Sequence, residues 1–398
     1  TGHTICYDGD PAEIGSTADA TGGDGQITYK WEFSTDDFAT PGTEIPDANS
    51  STYDPPTGLT ENTSYRRYAH DGTCNIGFEQ STGTWNVTVQ PKPMVNTGAD
   101  ATIVEDQSFT FTGASVDYED AFYWSTSGNG QFSSTTALNP VYTPGSDDIA
   151  AGTVELTLTC TPIIPCSIYA SDAMTLTILR YPEIGITTPA QGALLYSKTI
   201  SMEGTASDAD NDLDKVELRL NSGSWQTATG TQNWSLNVDL VPGRNILEAR
   251  AVDTAGLQSA AAKTEVTLSI QIINIPKGWS YISSCLDPLE PSVVKMFEDI
   301  VGANNLMIMS GTQGFYAPSF YINTLGNWNY TKGYKVLMNA ADELVVAGDS
   351  LTDKTLTFQP GAQLIPVLTN MPVSIGSLFA DPQNEILYML DIYTNQIY

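Results

Sequence analysis

Histidine is nearly absent from this chain and basic residues are scarce. Only His3 and His70 carry an imidazole, and 16 Lys and Arg stand against 46 Asp and Glu, for a formal charge of −30. A field of that sign repels phosphate backbones and anionic headgroups, which excludes nucleic acid and anionic membrane as partners. No run of 18 apolar residues occurs, so nothing is long enough for membrane insertion as a spanning helix. The five cysteines, Cys6, Cys74, Cys160, Cys166 and Cys285, form no CxxC pair, and with two histidines they make a poor zinc set. GxSxG, HExxH and P-loop patterns are missing too. A Ser–His–Asp arrangement has only His3, near one end, and His70, in the Ala69–Gly72 turn, to draw on. The chain reads as not an enzyme. Thr1 opens into polar sequence without a leader pattern, as expected of a mature or excised fragment.

What is present is enough apolar matter for several cores. Hydrophobic residues make up 41% of 398 positions, a length that calls for two to four domains. From Gly83 to Gln90, Trp85, Val87 and Val89 face one way and Asn86 and Thr88 the other, the period of a half-buried strand. Pro91 and Pro93 then break the ladder. The runs 153–159 and 173–178 alternate in the same way, as does 245–252, and Pro182 marks a second joint. Residues 215–220 followed by Asn221-Ser-Gly223 and Ser224-Trp225 predict a hairpin. Segments of this kind, with strands at short intervals and no convincing helix, predict β-sandwiches over 1–92, 93–181 and 182–270.

From about residue 271 the texture changes. Val293, Phe297 and Ile300 fall on one helical face after Pro291, and strand-like runs flank them. Gly278–Ile282 recurs near Gly361–Ile365, and Thr312–Tyr316 near Thr394–Tyr398. Residues 271–398 therefore read as an α+β module, duplicated and truncated, with the parent expected to continue.

Several clusters resemble a known family. The first segment, with Thr4-Ile-Cys6, Gly22-Gly-Asp-Gly25, Tyr29-Lys-Trp31, Tyr53-Asp-Pro55 and Gly72-Thr-Cys74, resembles the PKD-like, Ig-like repeats of large secreted Bacteroidota proteins. The second, with Tyr123-Trp-Ser-Thr-Ser-Gly128 and Asn139-Pro-Val-Tyr-Thr-Pro144, looks like a companion repeat. The third, with Gly204–Asp208, Lys215–Leu218 and Ala251-Val-Asp253, is similar to bacterial Ig-like modules. The fourth, with Pro276–Trp279, Asn323–Trp328 and Lys332–Tyr334, resembles a module near the end of such proteins. The resemblance implies a mainly β chain of tandem Ig-like/PKD-like β-sandwiches, followed by a smaller α+β module with an internal repeat. It also implies type IX export to an extracellular, cell-surface location.

Candidate sites are few. Two disulfides and one free thiol suit an oxidising compartment, with Cys6–Cys74 and Cys160–Cys166 the expected pairs because each lies inside one module. Asp208, Asp210, Asp212 and Asp253 are candidate calcium ligands, since carboxylates spaced by two converge when a loop turns. The run lacks the glycine and glutamate of an EF-hand, and the alternative reading is a polar inter-strand loop with an Asx turn. The acidic stretches 118–120 and 146–148 are expected on solvated faces. Trp31 and Trp124 belong in cores, whereas Trp225 and Trp328 are candidate ligand contacts. Thr254 and Ser350 sit in three-residue patterns similar to an O-glycosylation signal of exported Bacteroidota proteins. The expected function is a non-enzymatic structural or adhesive stalk segment of a secreted surface protein or filament. Its partners would be neighbouring modules of the same parent chain, with surface glycans or partner proteins as further candidates. The alternative is a carbohydrate-binding accessory region of a polysaccharide-degrading enzyme.

Overall fold

The computed structural model describes residues 2–397 except 17, 24, 73–75, 358–362, 370–389 and 392–395. It divides into two units, Thr1–Tyr181 and Pro182–Tyr398. The fold is mostly β, as the alternating runs predict, and consists of tandem β-sandwiches.

The first unit holds two cores. In the first, the sheet order is His3–Cys6, Trp85–Gln90, Thr63–His70, Thr28–Ser34, Thr43–Ile45, with Ile14–Gly15 and Thr52–Tyr53 paired separately. The first strand runs parallel to the last, His3 opposite Val87 and Cys6 opposite Gln90. Inward positions Ile5, Trp31, Tyr65, Val87 and Val89 build this core. Trp31 is fully buried, as expected, and its indole lies 5.2 Å from that of Trp85.

The second core repeats the plan. Ala101–Val104 lies parallel to Ala170–Leu179, which pairs with Thr153–Pro162 and through it with Glu119–Thr126. Val154, Leu156, Leu158 and Cys160 all point inward, and Trp124 joins them. One helix departs from the all-strand expectation. Ser146–Ala151 starts at Gly145, carries Asp147 and Asp148 in its first turn, and stops at Gly152 with φ 74°. Acidic residues favour a helix N-terminus and a left-handed glycine ends it, so the stretch expected to be a solvated loop is a capped helical turn.

In the second unit, Glu183–Thr188, Thr199–Ser207 and Asn233–Asp239 form one sheet. The other runs Leu194–Leu195, Ala262–Leu268, Gly243–Asp253, Leu213–Leu220, Gln226–Thr227. The expected hairpin is present, with Leu218 opposite Gln226 and Asn221 and Ser222 at positive φ. Met202, Leu218, Trp234, Leu247 and Val266 fill the core.

A further core follows in the same unit. It sits between the sheet built on Gly278–Ile282, Tyr334–Met338 and Leu306–Gly311 and the sheet Ile270–Ile275, Asp342–Ser350, Leu286–Pro288. The helical face works as the spacing predicts: Val293, Phe297 and Ile300 are all buried, across two short helices, Val293–Met296 and Glu298–Gly302. Most of the expected second copy lies outside the described residues.

Candidate metal centre

The turn after strand Thr199–Ser207 gathers three carboxylates. Asp208 Oδ1 accepts the N–H of Asp210 at 2.7 Å, the N–H of Asn211 donates to the Asp208 carbonyl, and Asn211 takes φ 63°. This is the Asx turn that the alternative reading foresees, and it folds the chain so that the acids converge. One oxygen from each of Asp208, Asp210 and Asp212 lies within 4.8 Å of the others. Asp208 Oδ2 and Asp212 Oδ1 are both buried without a hydrogen-bond partner. Burial pushes the Asp208 carboxyl above its usual range, and the Asp212 and Asp210 charges push the same way, against the Asp210 N–H bond. Two orphaned, mutually repelling carboxylate oxygens are costly to bury uncompensated. A hard divalent cation would satisfy both, and an adjoining groove lined by Asn211, Thr231, Gln232 and Asn233 offers further oxygens.

Asp253 does not join them. It is buried, and its Oδ1 accepts the Leu257 N–H at 2.7 Å, closing the turn at its own strand end. Its place near the cluster is taken by Thr254, whose hydroxyl donates to Asp212 Oδ2 at 2.8 Å and whose N–H donates to the Asp212 carbonyl. Thr254 is exposed apart from that contact, and Ser350 is exposed at the end of strand Asp342–Ser350.

The disulfide expectation needs correcting. Cys6 bonds to Cys166, across 160 residues, and so joins the two sandwiches of the first unit. Cys160 is a free, fully buried thiol, and Cys285 is also free. Cys74 lies outside the described residues. The signal against Cys160–Cys166 was legible: Cys160 continues the inward series of Val154, Leu156 and Leu158, whereas Cys166 follows the strand end.

Trp328 is likewise misassigned as a ligand contact. It is buried, donates its indole N–H to Ser284 Oγ at 2.8 Å, and lies 4.5 Å from the Tyr334 ring. Trp225 is half-buried, with the Arg219 and Arg250 guanidinium carbons 4.4 and 4.3 Å from its ring. Those groups are held by Glu248 and Glu217, so the indole is already engaged. Trp279, about half exposed beneath Lys335, was overlooked, although it alternates with inward Ser280.

Residues 1–91 match a family described as a domain of unknown function, DUF8696. Residues 182–269 match the Bacterial Ig domain. The carboxylate cluster thus lies within the segment similar to the bacterial Ig domain. Among solved structures, titin domains I67–I69 (an E-to-A variant) share 13% identity over 67% of this chain and 94% of that one, with TM-score 0.40. Human CDH23 EC21-23 shares 12% over 67% and 98%, with TM-score 0.39. The fibronectin(III)-like modules of Clostridium thermocellum CbhA share 17% over 22% and 96%, with TM-score 0.20. At such scores the sandwich fold stands on this chain's own sheets. No curated protein matches the chain.

Proposed function

We propose that the chain is a non-enzymatic structural or adhesive stalk segment of a secreted cell-surface protein or filament. What supports this reading is the inward placement of Trp31, Trp124, Trp234 and Trp328, which spends the large aromatic surfaces on folding four cores. Side chains used that way hold spacers rigid; they do not present platforms for ligands. The partners would be neighbouring modules of the same parent, with surface proteins or glycans at its far end. Type IX export from a Bacteroidota cell fits the sequence resemblance, and exposed Thr254 and Ser350 are the candidate glycan attachment points.

Calcium belongs to the same reading. Asp208, Asp210 and Asp212 would bind it and stiffen the turn that joins the two sheets of the third sandwich.

The test is binding of the purified chain to a glycan array, alongside polysaccharide hydrolysis assays. The stalk reading expects neither saturable binding nor turnover. Saturable binding lost in Trp225→Ala or Trp279→Ala would replace it with the carbohydrate-binding accessory reading.

A further inference from the structure

We propose that the Cys6–Cys166 bond is a load bypass, carrying tension across the first unit while shielding the chain between the two cysteines from extension. Cys6 ends the strand His3–Cys6, and Cys166 lies just before the strand Ala170–Leu179. Cys166 Sγ is 3.5 Å from the Gln90 carbonyl oxygen, which also accepts the Tyr7 N–H at 2.9 Å. The bridge therefore sits over the joint where the first sandwich hands over to the second. Two covalent connections cross that joint, the backbone through Pro91 and Pro93 and the disulfide. A joint crossed once is free to hinge, which is the default for small inter-domain contacts. Crossed twice, it loses that freedom.

The consequence for tension follows from connectivity alone and holds whether or not the chain is a stalk. A pull between residues 1 and 181 runs along His3–Cys6, through the two sulfurs, and along Ala170–Leu179. Everything between the two cysteines is a closed loop beside that path. The bridge spans 160 residues, so roughly 530–580 Å of extensible chain is withheld. The short covalent route becomes taut first, so only the pairings of His3–Cys6 and Ala170–Leu179 with their neighbours lie on the path, and the chain between the two cysteines cannot be drawn out.

Reduction removes the bypass. Cys6 and Cys166 each take one electron and one proton from a dithiol reductant, which closes to its own disulfide. Single-molecule stretching of the full chain, held at both ends, reads the effect, with unfolding of the second unit as reference in every trace. The oxidised chain is expected to lack the unfolding steps of the first unit. In dithiothreitol, added steps totalling roughly 530–580 Å should appear. Cys166→Ser should give the reduced pattern without reductant. Should that variant fail to fold, the reduced wild-type trace and a non-reducing peptide map carry the test. A Cys6–Cys166 cross-linked peptide supports the proposal, and a Cys6–Cys74 peptide overturns it. Identical traces with and without reductant overturn it as well.

Discussion

Tyr142 Oη donates a 2.6 Å hydrogen bond to Asp148 Oδ2 inside the second sandwich. The same carboxylate accepts the N–H groups of Asn129, Gly130 and Gly145, each at 3.0 Å. One buried side chain thereby ties a turn, a strand and a helix start together. Gly128 and Gly130 are required beside it, because a Cβ on either would collide with Asp148 or Tyr142. Burial pushes the Asp148 carboxyl up, but these donors outweigh it and hold the group below the usual range. The Tyr142 hydroxyl is pushed up to about 12, by burial first and then by Asp148.

Asp148→Asn should destabilise the second sandwich by about 2–4 kcal/mol near pH 7, since it discards a charged acceptor and leaves buried donors poorly met. The sign with pH follows from the lowered carboxyl. Its stabilisation is complete above the unfolded value of about 4 and is lost as pH falls through the lower folded one. Thermal melts of wild type and variant should differ near pH 7 and converge toward about pH 2. A gap that stays constant across that range would contradict this assignment.

Calcium should raise the melting temperature, by the equivalent of about 1.4–3 kcal/mol at saturating millimolar levels. Asp208→Asn and Asp212→Asn should abolish that response. In EDTA, Asp208→Asn should be as stable as wild type or more so, because it relieves repulsion among Asp208, Asp210 and Asp212. A melting temperature indifferent to both calcium and EDTA would rule the centre out.

Trp328→Ala should cost about 3–5 kcal/mol, the usual penalty for emptying a core aromatic site. Trp225→Ala should cost only about 1 kcal/mol, the worth of its two guanidinium stacks at a half-exposed position. Chemical denaturation of both variants makes the comparison. Equal costs would mean that Trp225 is a packing residue like Trp328.

Glu248 is buried between Arg219 at 2.6 Å and Lys263 at 2.7 Å. Hydrogen bonds from Arg219 and Lys263 hold its carboxyl below the ordinary range. Because Lys263 is largely exposed, the Lys arm should be worth little and the Arg219 arm about 1 kcal/mol in a double-mutant cycle. Additive Glu248→Gln and Arg219→Ala effects would show no coupling.

Much of the fold is local in origin and was legible in the chain. Alternation told which side chains of 153–159 share a face, because a strand's two faces are set residue by residue. The helical spacing of Val293, Phe297 and Ile300 foretold one buried face for the same reason. The Asp208–Asp212 spacing foretold convergence, since an Asx turn is built from adjacent residues. What tertiary structure alone decided is non-local. Whether Asp148 is solvated depends on N–H groups brought from residues 129 and 130, and whether Trp328 is exposed depends on Ser284 and Tyr334. The partner of Cys6 depends on how the ends of two sandwiches meet, and no periodicity within either one encodes that meeting.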